Sequence, residues 1–344
     1  MTRRPEIRLL GACVLITAAV SLISVPAAAQ TAGQPAGGTA RTGWGDPDLQ
    51  GVWDFSSNTP LNRAEEFGDR LFLTDEEAAE RQQVRIAARD RQDNTAARDG
   101  DTGTYNRFWT DNPRETRQTS LVVDPPNGRG PPRTPAAQRR FEQLATARGG
   151  VDDDAPTPGG FVEDLGPRGL FVRCLMGFNS GPPMKPQSYN QNLQIFQTVD
   201  HVVLLNEMVH SSRVVPLGDH PGLSDGIRQW LGSSRGRWEG DTLVVTTTNF
   251  RDTVFDPDRA GGGHRPGGTG LVLEERFTRT ADDTLVYEFT MNDPAWYTAP
   301  WTARLPMTRS DQPLYEFACH EGNYGLENIL AGARRAEQLP ADSR

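Results

Sequence analysis

Glu207, His210 and Arg213 lie three residues apart in "LLNEMVHSSRVVPL" (204–217), a stretch that is otherwise largely apolar. Runs that build a core seldom carry an acid, an imidazole and a guanidinium unless each has a partner. A histidine with a carboxylate neighbour is a competent general base near neutral pH. In that chemistry His210 moves a proton, Glu207 orients the imidazole, and Arg213 steadies a developing oxyanion. On a regular strand, however, Glu207 shares a face with Val203, Leu205 and Arg213, and His210 lies with Asn206 and Met208. The same residues therefore also suit a purely structural Glu207–Arg213 ion pair. A bulge at Ser211-Ser212 would bring His210 round to Glu207.

A second polar group stands in "ACHEGNYG" (318–325), with His320 and Glu321. A bond between Cys174 and Cys319 would anchor this stretch beside "RCLMGFNSGPPM", close to Tyr189 and Asn190. The expected catalytic set is thus His210, Glu207, Arg213 and His320, with Tyr189, Asn190, Trp230 and Glu321 contacting the ligand. No H-E-x-x-H and no close Cys/His spacing occurs, so the expected chemistry needs no cofactor. A divalent metal held by residues from distant loops, such as His210, His220, His320, Glu207 and Glu321, is the alternative. Neither a G-x-S-x-G elbow nor a G-x-G-x-x-G or P-loop pattern is present. Among the other acids, Glu239 reads as a hairpin residue. Glu275 would share an inward strand face with Leu273 and Phe277.

The chain opens with Arg3, Arg4 and Arg8, the apolar run "LLGACVLITAAVSLISV", and small residues at Ala27 and Ala29. This is the layout of an export signal (1–29) cleaved after Ala29, and it predicts a periplasmic or secreted protein with no stable membrane anchor. Cleavage removes three Arg and one Glu, taking the formal charge from −9 to −11. An acidic chain without a basic, aromatic-interleaved stretch is a poor nucleic-acid partner. After cleavage two cysteines remain, and an oxidising compartment predicts one Cys174–Cys319 disulfide. It would close a loop of about 145 residues, worth roughly 5 kcal/mol in the chain-entropy model.

These candidates need elements to position them. Residues 30–42 lack apolar periodicity and read as a flexible linker. One domain is expected over 43–335, followed by a tail (336–344). Within it, 60–165 is a polar, Pro- and Gly-rich insertion carrying two surface helices. Thr74 with Glu77 forms a capping box for the first, and Thr134-Pro135 opens the second. "TSLVVDPPNGRGPP" reads as a strand ending in a proline-rich turn. From residue 168 onward, "NLQIFQT", "HVVLLNEMV", "SRVVPL", "DTLVVTTTNF", "LVLEERFTRT" and "DTLVYEFTMN" are short β-rich runs separated by turn residues. In the last of these, Leu285, Tyr287, Phe289 and Met291 share one face. No helix of crossover length intervenes, which excludes a parallel nucleotide-binding sheet. The expected fold is mainly β: an antiparallel meander closing into a lipocalin-like barrel or curved sheet.

The strings "GDPDLQGVWDFSSNTPLNR", "TSLVVDPP", "GRWEGDTLVVTTTNF" and "CHEGNYGLENILAGAR" resemble those of a family of secreted bacterial proteins of unassigned function. That resemblance spans most of 43–335. Gly51-Val52-Trp53 is also similar to the G-x-W of lipocalin-type barrels, which implies an Arg packed over Trp53, with Arg304 in that role. It further implies a cup holding a small apolar or aromatic molecule. The sequence thus points to a secreted acid–base enzyme, a lyase, isomerase or hydrolase, acting on a small, partly apolar organic molecule. The alternative is a non-catalytic lipocalin-like carrier of the same ligand.

Overall fold

Alternation of apolar and polar residues sets the faces of the sheet. The computed structural model describes residues 40–95, 106–111, 113, 115–148, 169–255, 264–266 and 268–338. The expected export signal lies outside them, as do most of the linker and most of the glycine loop around His264. Strands β1 (Gly51–Asp54), β2 (Val122–Asp124), β3 (Asn192–Gln197), β4 (His201–Asn206), β5 (Ser212–Pro216), β6 (Ser233–Glu239) and β7 (Thr242–Thr248) are followed by a short β8–β9 pair (Thr253–Phe255, His264–Pro266). Strands β10 (Val272–Ala281), β11 (Thr284–Asn292) and β12 (Trp301–Ser310) complete the set. Ten of them form one antiparallel sheet ordered β5-β4-β3-β1-β12-β11-β10-β7-β6, with β2 also pairing β12.

The sheet is not closed into a barrel by a ladder. Its edge strands β5 and β6 meet through a single parallel bridge, Leu217 to Gly236. Gly236 permits this approach, because a Cβ there would stand 2.7 Å from a Leu217 methyl.

The inward positions are filled. Trp53, Leu193, Ile195, Phe277, Leu285, Tyr287, Phe289, Met291 and Trp301 belong to one buried cluster. Each large apolar side chain withdrawn from water contributes about 1.5–3 kcal/mol. The segment before β3 lays Met184 into the same space, and the Met184 amide donates to the Tyr287 hydroxyl at 3.1 Å.

Two expected pairings are corrected here. Arg304 does not cover Trp53: it lies on the outward face of β12 between buried Ala303 and Leu305, and bonds Glu288 at 2.9 Å. Arg279 and Arg309 cover Trp53 instead, at 5.8 and 5.9 Å from the ring. Arg309 is the register partner of Trp53, so it shares that face, and Gly51 at φ +131° leaves room for its guanidinium 3.4 Å away.

Arg213 likewise does not pair with Glu207. Strand β4 ends at Asn206, and Glu207 begins a 3-10 turn (Met208–His210) on the outer side. Arg213 points inward and makes two hydrogen bonds to Glu275, at 2.5 and 2.9 Å. The Tyr287 hydroxyl donates to the same carboxylate at 2.8 Å. Burial opposes the Arg213 charge, and the facing Glu275 more than offsets it, holding the guanidinium above its ordinary value.

Helices are peripheral. In α1 (Asp75–Asn94) the capping box forms as the sequence implies, and no residue of this helix is buried. For α2 (Pro135–Arg148) the Thr134 hydroxyl accepts from the Ala137 amide at 3.1 Å. The short α3 (Gly169–Val172) and the C-terminal α4 (Tyr324–Glu337) were not anticipated. Among the described residues, no helix is long and apolar enough to cross a membrane.

Candidate functional site

Adjacent strands deliver a row of polar side chains to the outer face of the sheet. Asp54 on β1 is the register partner of Asn192 on β3 and of Thr308 on β12. All three alternate with core residues (Trp53, Leu193 and Met307) and so point away from the core. With Ser56, Ser310, the edge of Arg309 and Asp111 from the insertion, they line a groove of about 380 Å³. The Arg309 guanidinium itself stays on the Trp53 face.

Two carboxyls here hold protons more tightly than usual. Asp111 is fixed by the Gln191 amide and side chain, at 3.2 and 3.1 Å. Burial pushes its proton affinity up, and the nearby Asp54 charge adds to that, against the hydrogen bonds it accepts. Glu207, only 6 % exposed, stands behind Asn192, whose amide donates to it at 2.7 Å. Donors on Asn190 and the Tyr315 backbone favour its charged form. Burial again raises its pKa most, and the Asp111 charge raises it further. Acids displaced upward by burial and by one another are the usual equipment of proton transfer.

A strained turn follows Glu207 and separates its face from that of Arg213. Val209 and His210 take left-handed backbone angles, φ +58° and +41°. A β-branched residue there costs on the order of 1–3 kcal/mol and needs surrounding contacts to hold it. Met208 and Val209 pack into a second apolar cluster with Leu170, Met176 and Phe178. The segment after β12 straps over the turn, and the Phe317 carbonyl lies 3.1 Å from His210 Nδ1. Cys319 then joins Cys174, with Cα atoms 5.8 Å apart. The disulfide expected from the sequence is present, and it tethers the strap to the second cluster.

The expected site residues therefore divide. Glu207 stands behind Asn192 of the groove, within electrostatic reach of Asp111, and neither it nor Asn190 lines the groove itself. His210 and His320 stand side by side on the exposed flank of the strap, ring centres 6.3 Å apart. No hydrogen bond or ion pair joins the Glu207 carboxylate to the His210 imidazole; the turn points them to opposite sides. Tyr189 and Trp230 pack against the second cluster, Tyr189 edge-on to Phe178 and Trp230 under the Arg251 guanidinium at 4.5 Å. Glu321 is exposed beside His320, and Arg213 belongs to the core.

Asp54 and Asp111 were missed. Asp111 sits in "FWTDNP", which has no periodicity, and its Gln191 partner is 80 residues away. Asp54 in "VWDF" carries the alternation signal of an outward strand residue, but nothing local marks its neighbours. Among the described residues, no group of three or more His, Cys, Asp or Glu side chains could hold a metal ion. Comparison with protein-family models, with curated proteins and with solved structures finds no match to this chain.

Proposed function

We propose that the protein is an exported acid–base enzyme, a hydrolase, lyase or isomerase acting on a small organic molecule held in the outer groove. The observation that carries this reading is Asp111 in the groove with Glu207 behind its Asn192, two acids with raised proton affinity that feel each other's charge. Asp111 faces the ligand and transfers the proton. Glu207 acts through Asn192, orienting its amide, and shares the charge balance of Asp111. Asn192, Ser56, Thr308 and Ser310 supply hydrogen bonds that orient the substrate. The exposed Trp109, two residues from Asp111, and Tyr315, beside Glu207, offer surface to its apolar part. The reading needs no cofactor, since a carboxyl pair completes a proton transfer by itself.

Export is part of the proposal: a disulfide between residues 145 apart suits an oxidising compartment. We also infer that the sheet curls toward a lipocalin-like barrel, its edges drawn together at Gly236. A carrier with its ligand inside such a barrel is disfavoured, because Met184, Tyr287 and Phe289 fill that interior.

The test is turnover of a panel of esters, amides, glycosides and 2-hydroxy acids by the purified protein and two variants. Asp111→Asn should reduce turnover by about 10²–10⁴-fold, and Glu207→Gln less. A substrate turned over equally well by Asp111→Asn would overturn the reading.

A further inference from the structure

The groove's lining narrows the substrate class, on the premise that the groove is the functional site. We propose that it binds a carbohydrate, with Trp109 and Tyr315 as the surfaces on which sugar rings stack. Its lining comprises two carboxyls (Asp54, Asp111), three hydroxyls (Ser56, Thr308, Ser310), one amide (Asn192) and Arg309. Carboxylates accept, while hydroxyls and amides both donate and accept. That inventory suits a ligand with many hydroxyl groups, each able to give one hydrogen bond and take others.

The competing chemistries fit less well. A small anion would meet two acids against one arginine, Arg309, whose guanidinium is already engaged with the Trp53 ring at 5.9 Å. A wholly apolar ligand would displace water from these polar groups and form no hydrogen bond in its place.

The rim supplies the complement that a sugar needs. Trp109 is 62 % exposed and Phe108 79 %, the two rings meeting edge-on at 5.0 Å. Two residues of chain reach at most about 7 Å, which bounds the backbone separation of Trp109 from Asp111. Tyr315, five residues beyond Ser310 of the groove, is 66 % exposed. A pyranose carries hydroxyls around its rim and C–H bonds on its faces. Its rim can enter the groove while a face lies on an aromatic ring, whose quadrupole favours the slightly positive C–H groups. A cleft of about 380 Å³ falls within the range of small-ligand sites.

The experiment measures binding by calorimetry, without turnover. The probes are cellotetraose, xylotetraose, maltotetraose and chitotetraose, with butylamine and benzoate as contrasts. At least one saccharide should bind in the millimolar range or tighter, and Trp109→Ala should weaken it about tenfold. Both Trp109 and Tyr315 are exposed, so their alanine variants should keep the parent melting temperature. Failure of every saccharide at about 10 mM, tighter binding of the amine or of benzoate, or saccharide binding unchanged in both Trp109→Ala and Tyr315→Ala overturns the proposal. Saccharide binding without Asp111-dependent turnover would sink the enzyme reading and keep this one. Asp111-dependent turnover of another class, with no saccharide bound, would do the reverse.

Discussion

Replacing Glu275 by Gln should be among the most damaging single changes available in this protein. Glu275 is fully buried and accepts three hydrogen bonds, two from Arg213 and one from Tyr287. The Arg213 side chain is 5 % exposed, so an amide opposite it leaves a guanidinium in the core without a counter-charge. Removing one partner of such a pair costs about 3–5 kcal/mol. For a chain of this size, at roughly 2 °C per kcal/mol, that is a fall in melting temperature of about 6–10 °C. Arg213→Met should cost a similar amount, because Glu275 would then be buried and charged alone. The double variant Arg213→Met/Glu275→Leu removes both charges and should recover most of the loss, since apolar replacements of a buried pair are often neutral. Glu207→Gln should leave the Arg213 pair intact and cost far less than Glu275→Gln. Thermal unfolding of these four purified variants decides the matter. Equal destabilisation by Glu207→Gln and Glu275→Gln, or additive losses in the double variant, would refute the assignment of Arg213 to Glu275.

Asp111 and Glu207 keep protons that the unfolded chain releases, so their contribution to stability is full below their unfolded values of about 4 and is lost as pH rises through the folded ones. Asp111→Asn should flatten the decline in stability above that point; denaturant midpoints from pH 4 to 8 that fall in parallel for variant and parent would contradict this. Non-reducing peptide mapping should recover Cys174 joined to Cys319, and the double serine variant should lose up to about 5 kcal/mol as well as the His210–Phe317 contact; two free thiols in exported material would contradict the strap. Mass spectrometry of the native protein should find a start near Gln30, against which an intact "MTRRPEIR" peptide would count.

Much of the β architecture was legible because alternation is a local signal. Leu285, Tyr287, Phe289 and Met291 lie on one face, as their spacing implies, and all are buried. The inward acid Glu275 was legible from Leu273 and Phe277 on the same grounds. Its partner was not, because Arg213 on the edge strand β5 meets Glu275 on β10, six places along the sheet, only through the way the sheet curls. The capping box at Thr74 was legible within four residues. The closure of the sheet, the register that aligns Asp54 with Asn192 and Thr308, and the arrival of Asp111 from the insertion are long-range facts with no local pattern. Glu207 was singled out correctly as an unusual acid, but for a strand partner it does not have: it keeps the outward face of Val203 and Leu205, while the left-handed turn at Val209 and His210 reverses the alternation and sends Arg213 inward, a bend that "EMVHSS" does not announce.

The claim on which the account rests is that two acids at the outer groove hold their protons unusually tightly. Carbon-detected NMR titration of the Asp111 and Glu207 side-chain carboxyls measures this directly, with Asp111→Asn and Asp54→Asn as companions. Both carboxyls should titrate above the ordinary carboxylate range, Asp111→Asn should lower the value for Glu207, and Asp54→Asn should lower that for Asp111. Two carboxyls titrating at or below ordinary values, each indifferent to its neighbour's removal, would contradict the proposed site.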